Sequence, residues 1–593
     1  MLRPFIPRGN VRLLLRRQPR CLFRRLSSTN AWSADAITGL VYRNQEKEAV
    51  FQTIIGLEIH AQLQIPTKLF STTNIQISNP APNTQLSLLD IALPGSLPVL
   101  SAAAVQAAVL AAAALQCQIA TVSRFERKHY VYADLPAGYQ ITQQRWPLAV
   151  DGCINFSSAA AANNTKKRKK KQQSGASDTN VTTCRIERLQ LEQDTAKTVQ
   201  RTVGSKTESL VDFNRAGSAL IEIVTAPDIR SAAAAVQATE TVRQLLRHTG
   251  VCDGQLQSGS LRVDLNVNLQ DSKGRRSLRV EVKNLNSLRQ VQEAALFEAV
   301  RQAQAWSTDN EDDTGGDQPQ QFSETRTWNV LDHKTVLIRL KDSEQDYRFL
   351  PEPDLPPVVL NAETLDGCQS VQDFCDQRMP ELPAQALERL METYSLSHYQ
   401  ASVVAADPPA ILLLDTAIAT AQQLLDESSH SIPPAKIAQL AANLLTNELF
   451  ALVKEDAPES DHVPTVQTSA VTGQQLGEIV VLLATGSLSS TMAKKLLAVI
   501  YTQSLTGASP AQVAAEHGFQ LVTDSNALLS LCRQVLADHP AEVGLLKQGG
   551  KFVGKMQKLF TGKAMAASHG NAHPERLQEA LQNVMEETID NDE

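Results

Sequence analysis

The chain has 593 residues, a formal net charge of -7, 42% hydrophobic residues and 20% charged residues. At roughly 100 to 200 residues per domain, three or four domains are expected, and the composition suits a soluble globular protein with sizeable cores. The longest apolar stretch, around Ala102 to Ala114, is alanine-rich and shorter than the roughly 20 residues of a membrane span, so no transmembrane helix is predicted. Eight cysteines without a C-x-x-C pair argue against a disulfide framework or a zinc ribbon and point to a reducing compartment. Because the total charge is acidic, any nucleic acid must be held by a local basic patch.

The N-terminus carries Arg3, Arg8, Arg12, Arg16, Arg17, Arg20, Arg24 and Arg25, with no acid before Asp35. Interleaved Leu and Phe make this the pattern of a mitochondrial transit peptide, with a disordered basic arm as the plainer alternative. Residues 1–48 are therefore assigned to a leader and linker, cleaved near Arg25 to Ser28, and a folded domain to residues 50–356. In that domain short alternating runs are punctuated by helical stretches, an α+β pattern. Helices are predicted over Ser101 to Ala120, from an N-cap at Ser231 to Gly250, and over Leu288 to Trp306.

Two low-complexity inserts interrupt it. The first, 157–180, contains the run Lys166 to Lys171 and lies between strand-like segments Gly152 to Phe156 and Thr182 to Gln193. It reads as a solvated loop expansion between paired strands, which loop entropy tolerates, rather than a nuclear signal or an RNA-binding finger. The second, 307–321, is acidic and contains Gly315 and Gly316. Beyond Pro357 apolar residues recur at helical spacing, as in Ala384 to Tyr394, Thr416 to Leu425 and Pro434 to Val453. A helical domain is placed at 357–453, a linker at 454–471 and a helical tail domain at 472–593.

Five runs of the first domain alternate well enough to assign faces. In Ile55 to Leu63 the apolar set Ile55, Leu57, Ile59, Ala61 and Leu63 leaves Glu58, His60 and Gln62 on the other side. The corresponding polar sets are Arg188, Gln190, Glu192 and Asp194; Glu222; Arg262, Asp264, Asn266 and Asn268; and Arg279, Glu281 and Lys283. If these strands share one sheet, its polar face gathers hard oxygen ligands suited to Mg²⁺, with Arg and Lys to take phosphate charge. Strand by strand the plain reading is a wet face, and alternation alone does not make the strands neighbours. No G-x-x-x-x-G-K-[ST] loop occurs, and no amidase signature or cysteine nucleophile setting is present, so ammonia chemistry would have to come from elsewhere.

The wording of the motifs resembles one family, the B subunits of the tRNA-dependent amidotransferases. The matching stretches include Ile55-Gly-Leu-Glu-Ile-His60, Asp90-Ile-Ala-Leu-Pro-Gly-Ser-Leu-Pro98, Phe125-Glu-Arg-Lys-His-Tyr130 and Asp134-Leu-Pro-Ala-Gly-Tyr-Gln-Ile-Thr-Gln143. They continue with Asp212-Phe-Asn-Arg-Ala-Gly217, Gly259-Ser-Leu-Arg-Val-Asp264, Lys283-Asn-Leu-Asn-Ser287 and Glu324-Thr-Arg326, and the resemblance runs from about residue 51 to the end outside the inserts. It implies a cradle-like, mainly antiparallel sheet domain with packed helices, an all-helical domain and a small helical tail domain that meets tRNA.

It also implies that ATP and Mg²⁺ serve to phosphorylate the side chain of glutamate on Glu-tRNA(Gln), after which ammonia displaces phosphate. The ammonia would come from a glutamine-hydrolysing amidase, the A subunit, with a small C subunit making up the heterotrimer. By this resemblance Glu58, His60, Glu192, Glu222, Asp264 and Glu281 are the metal ligands, and Glu58, His60, Glu222, Asp264, Glu281 and Lys128 the catalytic set. Arg127, Asn214, Arg215, Lys283 and Asn284 are nucleotide or substrate contacts, and tail residues Lys547, Lys551, Lys555, Lys558 and Lys563 a tRNA patch. With the leader, the expected location is the mitochondrial matrix.

Two departures stand out. Where the family has His, two Glu, Asp and a later His, this chain reads Gln190, Glu192, Gln193, Asp194 and Gln200; an amide oxygen ligates Mg²⁺ without adding charge. Asp90 stands where many relatives approach the Pro-Gly motif with cysteines, so no zinc is predicted. The alternatives are amidation of Asp-tRNA(Asn), which uses the same chemistry, and a non-catalytic tRNA-binding scaffold.

Overall fold

The computed structural model describes residues 32–43, 49–75, 80–157, 181–309, 323–341, 348–428, 430–456, 465–519, 521, 524–546, 551–568 and 572–590. The expectations for the leader up to residue 31, for 158–180 and 310–322 of the inserts and for Lys547 lie outside these residues. The chain forms two compact units, the first ending at Arg378 and the second taking up Met379 onward together with Arg247–Gly250.

In the first unit the strands, in chain order, are β1 (Trp32–Ala34), β2 (Leu40–Arg43), β3 (Ala49–Gln62), β4 (Gln118–Ile119), β5 (Val122–Ser123) and β6 (Glu126–His129). Then come β7 (Tyr139–Thr142), β8 (Ala149–Ser157), β9 (Val181–Gln193), β10 (Lys197–Val203), β11 (Lys206–Asp212) and β12 (Ala219–Thr225). The last long ones are β13 (Leu261–Asp271), β14 (Arg279–Leu285), β15 (Ser323–Asn329) and β16 (Lys334–Lys341). Eleven of them build one sheet along the path β16-β15-β14-β13-β3-β12-β9-β8-β4, with β1 and β2 added at the start of β3. The five strands read as alternating are thus consecutive neighbours, β14-β13-β3-β12-β9, and each of their pairings is antiparallel. β8 and β9 pair antiparallel, as the flanks of the lysine-rich insert implied.

Alternation puts Ile55, Leu57, Ile59 and Ala61 on the covered face, none more than 1% exposed. Helices α1 (Ala102–Ala114), α2 (Ala232–His248) and α3 (Leu288–Asp309) supply the other side of this core. The alanines of α1 bring its backbone close to the sheet, and the helix ends earlier than expected because Gln116 turns left-handed (φ 57°) into β4. Two boundaries move. Trp32 and Val41 are buried against Phe51, so the sheet begins inside the segment assigned to the leader and linker. At the other end Val358, Leu365, Cys368 and Phe374, the last on α4 (Val371–Arg378), are buried in the same core, so the domain runs past residue 356.

The second unit is helical: α5 (Pro383–Tyr394), α6 (His398–Ala405), α7 (Pro408–Glu427), α8 (Pro434–Asn443), α9 (Phe450–Asp456), α10 (Gly473–Ala484), α11 (Ser490–Thr502) and α12 (Pro510–Glu516) share one core. The expected linker does not separate two domains there. Gly473 and Gly477 let α10 lie directly on α7; a Cβ at Gly477 would come within 2.7 Å of the Ala417 carbonyl oxygen. A separate core, from Leu528 to Met585, joins α13 (Ser525–Ala537), α14 (Pro540–Leu546), α15 (Lys551–Ala567) and α16 (Pro574–Asp590). The tail module therefore starts near residue 525 rather than 472, because the helices between bury their apolar faces in the preceding core.

Candidate active site

Register aligns the polar side chains in rows across the sheet. Gln190, Glu222, His60 and Arg262 face one another across four strands, and Glu58 faces Asp264 one row on, two residues or about 7 Å along β3. With Glu192, opposite Leu220, and Glu281, opposite Asn266, from the neighbouring rows, the ligand atoms of His60, Glu192 and Glu222 converge to within 4.8 Å of one another, as do those of Glu58, Asp264 and Glu281. All six residues proposed from the alternating strands are thus brought together, as two neighbouring groups.

In the first group His60 Nε2 lies 3.5 Å from Glu192 Oε1 and 4.0 Å from Glu222 Oε1. The other oxygens are held from behind: Thr142 of β7 donates to Glu192 Oε2 at 3.2 Å, and the Gln190 amide donates to Glu222 Oε2 at 2.6 Å. Burial, then the neighbouring Glu222 carboxylate, push Glu192 above the ordinary carboxyl range, against the pull of His60 and Lys128.

The second group carries its own cation. Lys283 Nζ lies 2.6 Å from Glu281 Oε1 and 3.1 Å from Asp264 Oδ2. Between Val263 and Leu265 the β13–β14 register shifts, and the extra residue makes a bulge at Lys283–Asn284 with Asn284 left-handed (φ 64°). That turn aims the Asn284 N–H at Asp264 Oδ1, 3.1 Å away, while Thr325 of β15 donates to Glu281 Oε2 at 3.1 Å. Glu58 accepts from Asn266 at 2.8 Å; burial, followed by Glu222 and Glu281, raises it. For Lys283 burial opposes the charged form, yet Asp264 and Glu281 outweigh it and the group is raised well above the usual lysine range.

The remaining sequence candidates divide. Lys128 acts on Glu192 from β6. Arg127, one residue earlier, points the other way: it is gripped bidentately by Glu352 (2.7 and 2.9 Å), reaches Asp354 at 3.0 Å and lies over the Tyr139 ring. Asn214 ties a loop, accepting from the N–H groups of Thr84 and Gln85, and Arg215 bonds the carbonyls of Thr195 and Ala196. Arg127 and Asn214 are placed as braces of surrounding loops, whereas Arg215 also reaches Asp194 Oδ2 at 3.3 Å, a carboxylate two residues beyond Glu192 that Arg262 holds too. Gln193 lies on the opposite strand face from Glu192, and Gln200 sits on the exposed β10–β11 hairpin, bonded to Ser209. Gln190 turns its amide hydrogens, not its oxygen, toward the site.

Asp90 makes a buried ion pair with Lys68 at 2.7 Å, which holds its loop to the domain. In the tail Lys555 and Lys558 are exposed, Lys563 is paired with Glu542 at 2.9 Å, and the Lys551 side chain lies outside the described residues. Sequence reasoning missed Thr142 and Thr325, although each stands inside a motif quoted above.

Comparison with known proteins identifies the family. Residues 53–366 match the family described as the GatB/GatE catalytic domain, and residues 427–585 the GatB domain. The aspartyl/glutamyl-tRNA(Asn/Gln) amidotransferase B subunit of Persephonella marina is 35% identical over 537 residues, 90% of this chain and 99% of its own length. The chloroplastic/mitochondrial glutamyl-tRNA(Gln) amidotransferase B subunit of Ostreococcus tauri is 35% identical over 539 residues, covering 90% and 92%. A mitochondrial counterpart from Phytophthora infestans is 34% identical over 587 residues, covering 91% and 96%. With two domain matches and near full-length relatives, the chain belongs to the B-subunit family of the tRNA-dependent amidotransferases.

Proposed function

We propose that this chain activates the glutamate carried by Glu-tRNA(Gln): a side-chain carboxylate oxygen attacks the γ-phosphorus of ATP, ADP leaves, and ammonia from a partner glutaminase then displaces phosphate to give Gln-tRNA(Gln). The observation that carries this reading is the convergence of five carboxylates and His60 on one polar sheet face. Carboxylates are hard ligands that fit Mg²⁺, and the raised proton affinity of Glu58 and Glu192 marks a face short of positive charge. His60, Glu192 and Glu222 would hold the ion, with Glu58, Asp264 and Glu281 beside them; bound there, it neutralises phosphate oxygens of ATP. Lys283 on the sheet and Lys128, which acts on Glu192 from β6, supply positive charge that would orient the transferring group.

Glutamate is preferred as the substrate because the organellar relatives from Ostreococcus tauri and Phytophthora infestans carry the glutamyl name; the bacterial name, which includes Asn, favours Asp-tRNA(Asn) as the second reading. The same organellar relatives and the acid-free leader support a mitochondrial matrix location. Their names, which mark them as one component of a larger enzyme, support association with an amidase partner, the A subunit, and with a small C subunit. Exposed Lys555 and Lys558 support tRNA phosphate contact by the tail.

The test is Glu222→Ala and Asp264→Ala in the reconstituted complex. Each should lower ATP-dependent phosphate release and Gln-tRNA formation about 1000-fold, the loss of a main charge stabiliser, while glutamine hydrolysis by the partner continues. Normal Gln-tRNA formation by folded variants overturns the site; amidation of Asp-tRNA alone overturns the substrate.

A further inference from the structure

We propose that Thr142, acting with Gln190, is a positioning residue that decides which oxygens of Glu192 and Glu222 are presented to a divalent cation. This rests on the reading above that the first carboxylate group holds Mg²⁺. A carboxylate only accepts, so the Thr142 hydroxyl, 3.2 Å from Glu192 Oε2, spends its proton there. Its lone pair then accepts from Gln190 Nε2 at 3.1 Å, and the second hydrogen of that amide goes to Glu222 Oε2 at 2.6 Å. The Gln190 oxygen accepts from Arg188 Nε at 3.0 Å. Reversing the amide would set its oxygen against a carboxylate oxygen and an NH₂ group against a guanidinium, so a single orientation satisfies all four groups.

The consequence is a division of labour between oxygens. Both Oε2 atoms are occupied from behind, and both Oε1 atoms are left facing His60 Nε2, at 3.5 and 4.0 Å. Thr142 and Gln190 are 1% and 2% exposed, which keeps water from replacing the bonds they make. The strand that carries Thr142 is itself fixed on β9: Leu191 N–H donates to Gln143 Oε1 at 3.0 Å and Gln140 Nε2 donates to the Gln193 carbonyl at 2.7 Å. Groups that orient metal-ligating carboxylates in this way change affinity about 10- to 100-fold when removed.

The experiment titrates the full-length chain with Mn²⁺ alone, reading free ion by its electron paramagnetic resonance, in wild type, Thr142→Val, Thr142→Ser and Gln190→Leu. Thr142→Val should bind Mn²⁺ about tenfold more weakly, at the low end of that range, and Thr142→Ser within about twofold of wild type, since serine keeps the hydroxyl. In the complex, the KM for Mg²⁺ in phosphate release should rise in step while kcat changes less. Gln190→Leu removes the same chain from its other end and decides the matter should the valine variant not fold. Wild-type protein that binds no Mn²⁺ overturns the cation site and this inference with it. Tight wild-type binding that is unchanged in both Thr142→Val and Gln190→Leu overturns the inference alone.

Discussion

The two carboxylate groups meet on β3, one drawing Glu192 and Glu222 from β9 and β12 and the other Asp264 and Glu281 from β13 and β14, and they differ in what faces the acids. In the group of Glu58, Asp264 and Glu281 the compensating charge belongs to the chain, since Lys283 Nζ bridges Asp264 and Glu281 at 3.1 and 2.6 Å. In the group of His60, Glu192 and Glu222 the near neighbours of the acids include Thr142, Gln190 and an imidazole, with Lys128 acting on Glu192 from β6, in a separate sheet. One group is closed by a covalently attached cation, and the other holds two oxygens open. On the function proposed above, the first group takes an ion and the second holds Lys283 beside it.

Removing Lys283 breaks this asymmetry and carries the largest effect expected after the loss of Glu222 or Asp264 itself. Lys283→Met leaves three acids facing one another, so a second divalent cation should enter: Mn²⁺ bound per chain rises from about one to about two in a direct titration. Phosphate release should fall about 100-fold, because a positive group placed against developing phosphoryl charge is lost. Unchanged stoichiometry together with an unchanged rate would mean that the two groups are equivalent.

The strands that carry these acids were legible because period-two alternation is strong in β3, β9 and β13, where burying one face commits the other, while in β12, buried throughout, Glu222 is the one acid in an apolar run. What alternation could not supply is which strands are neighbours; the family motifs supplied that. The bulge at Lys283–Asn284 was hidden, since nothing in Lys-Asn marks an extra residue until the partner strand is known. The partners of Arg127 were hidden for a related reason. It follows Glu126 and precedes Lys128 in one motif, but strand alternation sends it to the opposite face, where Glu352 and Asp354 hold it. The helical boundary failed at Pro458 and Pro464, which resemble a linker in composition, whereas the fold of the flanking helices is decided by Gly473 and Gly477 packing on α7.

Acidity offers a second way to separate the groups. Glu58 and Glu192 both have folded values raised above 4.5, by burial first and by neighbouring carboxylates second. A raised carboxyl favours the folded state most when it is protonated, so its contribution is full below 4.5 and is lost as pH rises through the raised value. The metal-free protein should therefore lose melting temperature as pH increases over this range. Mg²⁺ should restore more of it at pH 8 than at pH 5, by a few degrees, because ligand binding stabilises only the ionised site. Glu192→Gln should flatten the pH dependence and abolish the Mg²⁺ increment. A Tm increment from Mg²⁺ that is equal at both pH values would remove the charge argument for the first group.

The smallest effect distinguishes the two threonines. Thr325 donates to Glu281 Oε2 at 3.1 Å, the counterpart of Thr142 on Glu192, but Glu281 is already fixed through its other oxygen by Lys283 at 2.6 Å. Asp264, its neighbour in the group, is likewise held by Lys283 and by the Asn284 N–H at 3.1 Å. With the carboxylate anchored at a second point, loss of the Thr325 hydroxyl frees little rotation. Its cost is then close to that of one ordinary hydrogen bond, about 0.6 kcal/mol, or about threefold. Thr325→Val should accordingly raise the KM for Mg²⁺ about threefold and leave Mn²⁺ stoichiometry unchanged, against the tenfold loss expected at Thr142. Combining Thr325→Val with Lys283→Met removes two contacts of Glu281, and the pair should lose more than the product of the single effects, since contacting groups are not additive. Strict additivity would show that Thr325 does not orient Glu281, and that only the first group depends on a hydroxyl from a neighbouring strand.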